Sequence, residues 1–166
     1  MSKATMGFKY RVKEFDSAGH LVSETEDFNL IPIEGLNHII ETFAKNGTPF
    51  PSLYVGLYEG DYTPTPSDVM ATFPTAATEL TAYTSTTRPA LVLGSVASGQ
   101  VSNAGTEVEF VGNTNGKQAR GGFVCASPTK GSTTGPLLSA VKFPSPKALD
   151  SGGKLEVTVV FAAASV

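Results

Sequence analysis

The segment Ser52–Pro89 constrains this chain more than any other part of its sequence. It begins with a short apolar stretch, Leu53–Tyr58, and continues as a long polar excursion rich in Pro and Thr. A second apolar stretch begins after Arg88-Pro89. Reactive loops place convergent catalytic groups on a rigid scaffold. Because this excursion contains no His, Cys or Lys, it predicts a surface that contacts another molecule and argues against a catalytic site.

The composition favours many short strands joined by turns. The chain has 166 residues, among them 17 Gly and 11 Pro, which is long enough for one domain with a substantial core. Charged residues make up 16% of the chain, whereas soluble domains typically contain roughly 25%. Two interpretations follow: another molecule covers part of the surface, or Ser and Thr supply the missing polarity.

The sequence predicts a mainly β fold, an antiparallel β-sandwich of jelly-roll type with one amphipathic helix and an N-terminal hairpin. In residues 1–30, a basic strand at Phe8–Phe15 is followed by a Gly-containing turn and an acidic strand at Leu21–Leu30. Opposite charges on paired strands stabilise a hairpin. An isolated hairpin is only marginally stable, so this one must pack on the body of the protein or on a neighbouring subunit. We expect residues 1–30 to form an extension that makes contacts outside its own subunit, and residues 31–166 to form the sandwich domain.

A helix is predicted at about residues 33–45, after Pro32, which suits a helix start. Four apolar residues recur there at helical spacing, which predicts one face packed on a sheet, with Glu34 and Glu41 outside; they are Ile33, Leu36, Ile40 and Phe43. A second short helix is predicted at Ser67–Thr72.

The rest of the chain, after Arg88, alternates between apolar runs and turn residues, a spacing typical of a sandwich or barrel. The predicted strands are Ala90–Leu93, Thr106–Val111, Arg120–Ala126, Leu137–Phe143 and Lys154–Ala162.

No motif predicts catalytic, cofactor-binding or metal-binding residues, and the sequence argues against an enzyme. The segment Gly112–Gln118 resembles a phosphate loop but is too short, and its Asn115-Gly116 pair predicts a hairpin turn. The carboxylates of Glu59, Asp61 and Asp68 lack the spacing of a calcium loop. The single cysteine, Cys125, lies in an apolar run and is predicted to be a buried structural residue.

Charge and hydropathy exclude two classes of partner. The net charge is −3, and the densest cations, Lys9, Arg11 and Lys13, alternate along one strand, so nucleic-acid binding is not expected. No apolar run approaches the roughly 20 residues that span a membrane. We expect no membrane partner and synthesis in the cytoplasm without a visible export signal.

The aromatic residues supply the candidate interface. Four of the five tyrosines lie in Ser52–Pro89, and tyrosine is common at protein interfaces because it adds area at little entropic cost. We predict Tyr62 and Tyr83 as interface residues. Phe8 and Tyr10 join them through the expected outward contacts of the hairpin.

Three segments carry a resemblance to a known family. LYVGLYEGDYTPTPSD, TAYTSTTRPAL and KGSTTGPLLSAVKFPSPKALDSGGKLEVTVVF resemble a family of virion structural proteins of tailed bacteriophages. The resemblance covers roughly residues 30–163. It departs from the family pattern at Ser151-Gly152-Gly153 and in the N-terminal hairpin.

The resemblance implies a non-enzymatic structural protein that decorates or cements the capsid shell. Its expected partners are the lattice of the major capsid protein and further copies of itself, on a virion assembled in the host cytoplasm. Two alternatives stay open: a tail or adsorption-fibre component, and a glycan-binding β-sandwich. The glycan-binding alternative requires Asp61, Tyr62 and Tyr83 to converge on one loop face.

Overall fold

The computed structural model describes residues 4–165, with side chains over residues 6–163, and it confirms the mainly β fold. Two helices and ten strands follow in chain order: β1 (Ala4–Phe15), β2 (Leu21–Phe28), α1 (Ile33–Ala44), β3 (Leu53–Tyr58), α2 (Phe73–Ala76), β4 (Glu79–Leu80), β5 (Ala90–Leu91), β6 (Gln100–Ser102), β7 (Val108–Val111), β8 (Gln118–Cys125), β9 (Leu137–Ala148) and β10 (Lys154–Ser165).

The strands form two antiparallel sheets that pack face to face. The first sheet has the order β2-β1-β10-β6, with β7 also paired to β10. The second has the order β4-β3-β8-β9, with β5 also paired to β3. Alternate side chains of the inner strands meet between the sheets; the fully enclosed ones include Val12, Val55, Leu57, Phe110, Val124, Leu155 and Val157.

The N-terminal hairpin is part of this sandwich. β1 pairs with β10 along its whole length, from Ala4 opposite Ser165 to Phe15 opposite Lys154. The expectation of a separate extension is therefore not met, because the apolar face of β1 lies in the core between the sheets. The predicted charge pairing between β1 and β2 is confirmed, since Lys9 lies 3.2 Å from Glu26.

Helix α1 matches its predicted range, but the second helix does not. Residues 67–72 form turns, and α2 begins only at Phe73. The predicted strands of the second half are all present with altered bounds. β9 continues to Ala148 through Pro144 and Pro146, and two short strands, β4 and β6, were not predicted. Among the described residues, no helix is long and apolar enough to cross a membrane.

Candidate interaction surface

In the segment Ser52–Pro89, the polar part that follows β3 folds back on the second sheet around Phe73. The ring of Phe73 meets the rings of Tyr58, Tyr62 and Phe123 edge to face, at centroid distances of 5.8, 5.7 and 5.4 Å. Such aromatic pairs contribute about 0.5–1.5 kcal/mol each beyond the area they bury. This segment is therefore a packed lobe with the ring of Phe73 at its centre.

A buried ion pair fixes the end of this lobe. Arg88 donates from Nε and Nη2 to the two carboxylate oxygens of Glu79 at 2.8 and 2.7 Å. Its side chain is fully buried, and it also donates to the carbonyl oxygens of Ser127 and Ser132 at 3.1 and 3.0 Å. The guanidinium thus joins the end of the lobe to the loop between β8 and β9, with most of its donors satisfied.

Tyr83 does not lie on the surface. Its side chain is 1% exposed, packs edge to face on Phe110 and lies beneath the ammonium group of Lys130, 3.6 Å from the ring centroid. Its hydroxyl is buried and has no hydrogen-bond partner within the described part of the chain. The prediction of Tyr83 as an interface residue is therefore wrong for the folded subunit, because its ring fills the core.

Tyr62 is half-buried, and its hydroxyl donates to Asp68 at 2.6 Å. This hydrogen bond raises the pKa of Tyr62, since the neutral phenol is the form that donates to a carboxylate. Asp61 pairs instead with Lys142 at 2.7 Å. With Tyr83 enclosed, these residues do not converge on one loop face, so the arrangement expected of a glycan platform is not formed.

The two interface candidates of the hairpin also point into the core. Tyr10 is 1% exposed, and its hydroxyl lies 2.6 Å from the hydroxyl of Ser139. Burial raises the pKa of Tyr10. Phe8 is 6% exposed and packs on Phe161 at a centroid distance of 4.7 Å. Outward contacts through Tyr10 are excluded by its burial, whereas Phe8 reaches the floor of two surface grooves described below.

One prediction about a single motif is confirmed, and a second is confirmed only in part. Cys125 is fully buried, and burial raises the pKa of its thiol, although Arg88 lies 3.5 Å from its Sγ and opposes the shift. Gly116 adopts a positive φ of 75°, so a turn is present at Asn115-Gly116. The predicted hairpin is wrong, because β7 pairs with β10 in the first sheet, whereas β8 pairs with β3 and β9 in the second. Among residues 4–165, no group of three or more His, Cys, Asp or Glu side chains could hold a metal ion.

Helix α1 packs on β9 through its less apolar face. Gly35 is buried, and a Cβ at this position would lie 2.6 Å from the carbonyl oxygen of Leu138. Glu34 faces inward, contrary to the prediction, because its Oε2 accepts hydrogen bonds from the N–H groups of Met70 and Leu137 at 2.8 and 2.7 Å. The close approach at Gly35 and the carboxylate of Glu34 together set which face of the helix is buried.

The opposite face of α1 exposes three large apolar side chains to solvent. Phe43 is 91% exposed, Ile33 55% and Ile40 53%. The predicted packing of this apolar stripe against a sheet is therefore wrong. Large exposed apolar patches on a folded protein mark interaction sites.

An apolar groove continues this exposed face. It lies beside the C-terminal half of α1, over the end of the first sheet, and has a volume of about 520 Å³. The rings of His38 and Phe50 stack beside it at a centroid distance of 4.7 Å. Its wall and floor are formed mainly by apolar side chains, among them Phe8, Phe43, Phe50, Leu93, Leu138 and Phe161.

This surface was not identified from the sequence, although the sequence contained a signal for it. Glycine in the middle of a helix costs roughly 1 kcal/mol relative to Ala, so Gly35 indicated a close backbone contact on its own side. If the helix face with Gly35 and Ile39 packs on the sheet, the stripe with Ile40 and Phe43 points away and cannot contact the same sheet.

Comparison of the chain with known proteins finds no matching family model, no similar curated protein and no similar solved structure.

Proposed function

We propose that this protein is a non-enzymatic structural component of a tailed-phage virion that binds the outside of the assembled capsid lattice and stabilises it. The observation that carries the proposal is the solvent-exposed apolar face of α1 with its adjoining groove. The three segments that resemble virion structural proteins supply the identity of the partner.

Decoration requires contact area and shape, and no reactive groups. The apolar face of α1 supplies area, because burying a large apolar side chain contributes about 1.5–3 kcal/mol. The helix is already folded and packed on β9 in the free subunit, so little conformational entropy is lost on docking. The low content of charged residues favours the same interpretation, since an interface core is depleted of charge.

The test measures binding of the purified protein to mature undecorated shells. The double variant Ile40→Ser/Phe43→Ser is expected to bind about a hundredfold more weakly, because two apolar side chains no longer leave water. Its unfolding midpoint is expected to match the wild type, since both side chains are exposed in the free subunit.

The matched control is Leu21→Ser/Val22→Ser, which removes two side chains that are 53% and 59% exposed at the far end of the hairpin. We expect it to bind like the wild type. Equal binding by the helix variant and the wild type contradicts the assigned surface. Recovery of the protein only from isolated tails favours the tail alternative over the capsid.

A further inference from the structure

Among the described residues, no strand pairs with the outer edge of β1 ahead of Lys9, so one edge of the first sheet is open there. β10 pairs with β1 from Ala4 onward, whereas β2 pairs with it only from Lys9. The next position is filled by Asn29: its Oδ1 accepts the N–H of Phe8 at 2.8 Å, and its own N–H donates to the Phe8 carbonyl at 3.1 Å. Backbone groups alternate sides along a strand, so Met6 directs its N–H and C=O to this same edge.

Four of the other edge strands in the described part of the chain carry charges or prolines. β2 carries Glu24 and Glu26, and β9 contains Pro144 and Pro146. Of the short edge strands, β4 carries Glu79 and β7 carries Glu109. Charges and prolines are among the means by which natural sheets avoid edge pairing. The segment Ala4–Gly7 has neither charge nor proline.

A groove of about 420 Å³ lies on the outer face of the sheet beside this edge. Its floor includes Gly7, where an added Cβ would meet nothing closer than Asn29 Oδ1 at 4.0 Å. Phe28, which is 77% exposed, and Lys9 bound one side, and Gln100 lies on the other. A large side chain on a neighbouring strand packs well over a glycine directly opposite.

We propose that an extended segment of the capsid lattice protein adds to the sheet as a further strand along Ala4–Gly7, with a large apolar or aromatic side chain opposite Gly7 in this groove. The inference rests on the proposed function, which supplies the lattice as partner. In strand addition, backbone hydrogen bonds supply affinity, and pockets for alternate side chains supply specificity. Here Met6 provides the donor and acceptor, and the groove over Gly7 provides the pocket.

A second copy of this chain fits the edge less well than a separate extended segment. Phe28 and Asn29 close the edge at one end, immediately beyond Gly7. Two copies related by a twofold axis would present the same closed end to each other, so pairing would be confined to the Ala4–Gly7 segments. A flexible segment of another subunit has no closed end of its own, so only the closed end of β1 limits its pairing.

The test compares Met6→Pro with Met6→Ala in binding to undecorated shells. Proline removes the N–H that faces the open edge and leaves the ladder with β10 intact, and edge strands tolerate proline. We expect Met6→Pro to weaken binding about tenfold or more, as loss of main-chain hydrogen bonding predicts. Met6→Ala, which keeps the N–H, is expected to stay within about threefold of the wild type.

A second pair, Gly7→Leu and Gly7→Ala, tests the groove without altering the backbone groups. Because the space above Gly7 is open, both variants are expected to fold with the wild-type unfolding midpoint. Gly7→Leu is expected to lose shell binding, because its side chain occupies the groove, and Gly7→Ala is expected to keep it. If Met6→Pro fails to fold, the two Gly7 variants still test whether a strand adds along Ala4–Gly7.

The outcomes separate this inference from the function on which it rests. Wild-type binding that neither Met6→Pro nor Gly7→Leu reduces overturns strand addition and leaves the decoration function in place. Failure of the wild type to bind shells overturns both. Self-association of the purified wild type that Met6→Pro abolishes assigns the edge to a second copy and overturns the choice of occupant.

Discussion

At the residue scale, Arg88 explains why the excursion ends where it does. Its guanidinium forms a two-point ion pair with Glu79, and both side chains are almost fully buried, at 0% and 3% exposure. Nearby carbonyl oxygens accept the remaining donors, and the N–H of Gly131 donates to Glu79 at 2.8 Å. The chain therefore returns to the sheet at a point that hydrogen-bond geometry specifies.

We predict that Arg88→Met lowers the free energy of unfolding by about 3–5 kcal/mol, because Glu79 is left buried without a counter-charge. The double variant Glu79→Met/Arg88→Met is expected to cost less than the single one, since no unpaired charge stays in the core. Urea denaturation measures both.

The control is Lys142→Met, which removes the exposed partner of Asp61. An exposed pair contributes about 0–1 kcal/mol, so this variant is expected to unfold almost like the wild type. Similar losses for Arg88→Met and Lys142→Met would contradict the role given to the buried pair.

At the element scale, helix α1 shows how a single close contact overrides hydrophobic pattern. The apolar stripe of Ile33, Ile40 and Phe43 has the stronger periodicity, yet the buried face is that of Gly35. Only glycine allows the helix backbone to approach β9 so closely. The orientation that results leaves the stripe free for an external partner.

We predict that Gly35→Ala lowers the free energy of unfolding by about 1–3 kcal/mol, because the new methyl group forces the helix away from β9. This loss runs against helix propensity, which favours Ala over Gly by roughly 1 kcal/mol. The control Asn37→Ala, at an exposed position of the same helix, is expected to raise stability by about 0.5 kcal/mol. Stabilisation by Gly35→Ala would contradict the packing described here.

The elements that could be predicted from the sequence are those whose local pattern agrees with their environment. The alternation of β1 and β10, the turn at Asn115-Gly116 and the range of α1 follow from periodicity and turn chemistry. The short strands β4 and β6 could not be predicted, because two or three residues carry no period and form only through pairing with β3 and β10.

The interface residues could not be predicted from residue type. A tyrosine side chain combines an apolar ring with a polar hydroxyl, so residue type alone does not tell whether it is buried. Strand alternation and contacts distant in sequence place the rings of Tyr10 and Tyr83 inside the sandwich. Phe43 shows the opposite case: its apolar character predicted burial, and the orientation of the helix exposes it. Which face is covered depends on tertiary contacts that a single sequence does not display.

At the scale of the whole molecule, two grooves that share Phe8 are each bordered by exposed apolar side chains. One groove adjoins α1 and Phe50, and the other adjoins Phe28 and the open edge of β1. A surface of this kind suits a partner assembled from several subunits, since linked weak contacts raise the overall affinity through effective concentration.

Decoration of an assembled lattice is tested by comparing binding to assembled shells with binding to unassembled major capsid subunits, using the same purified protein and buffer. We predict stoichiometric, saturable addition to mature undecorated shells and at least about a hundredfold weaker binding to free subunits, the gain expected when linked contacts act together. Equal affinity for shells and free subunits, or no addition to shells, would contradict it.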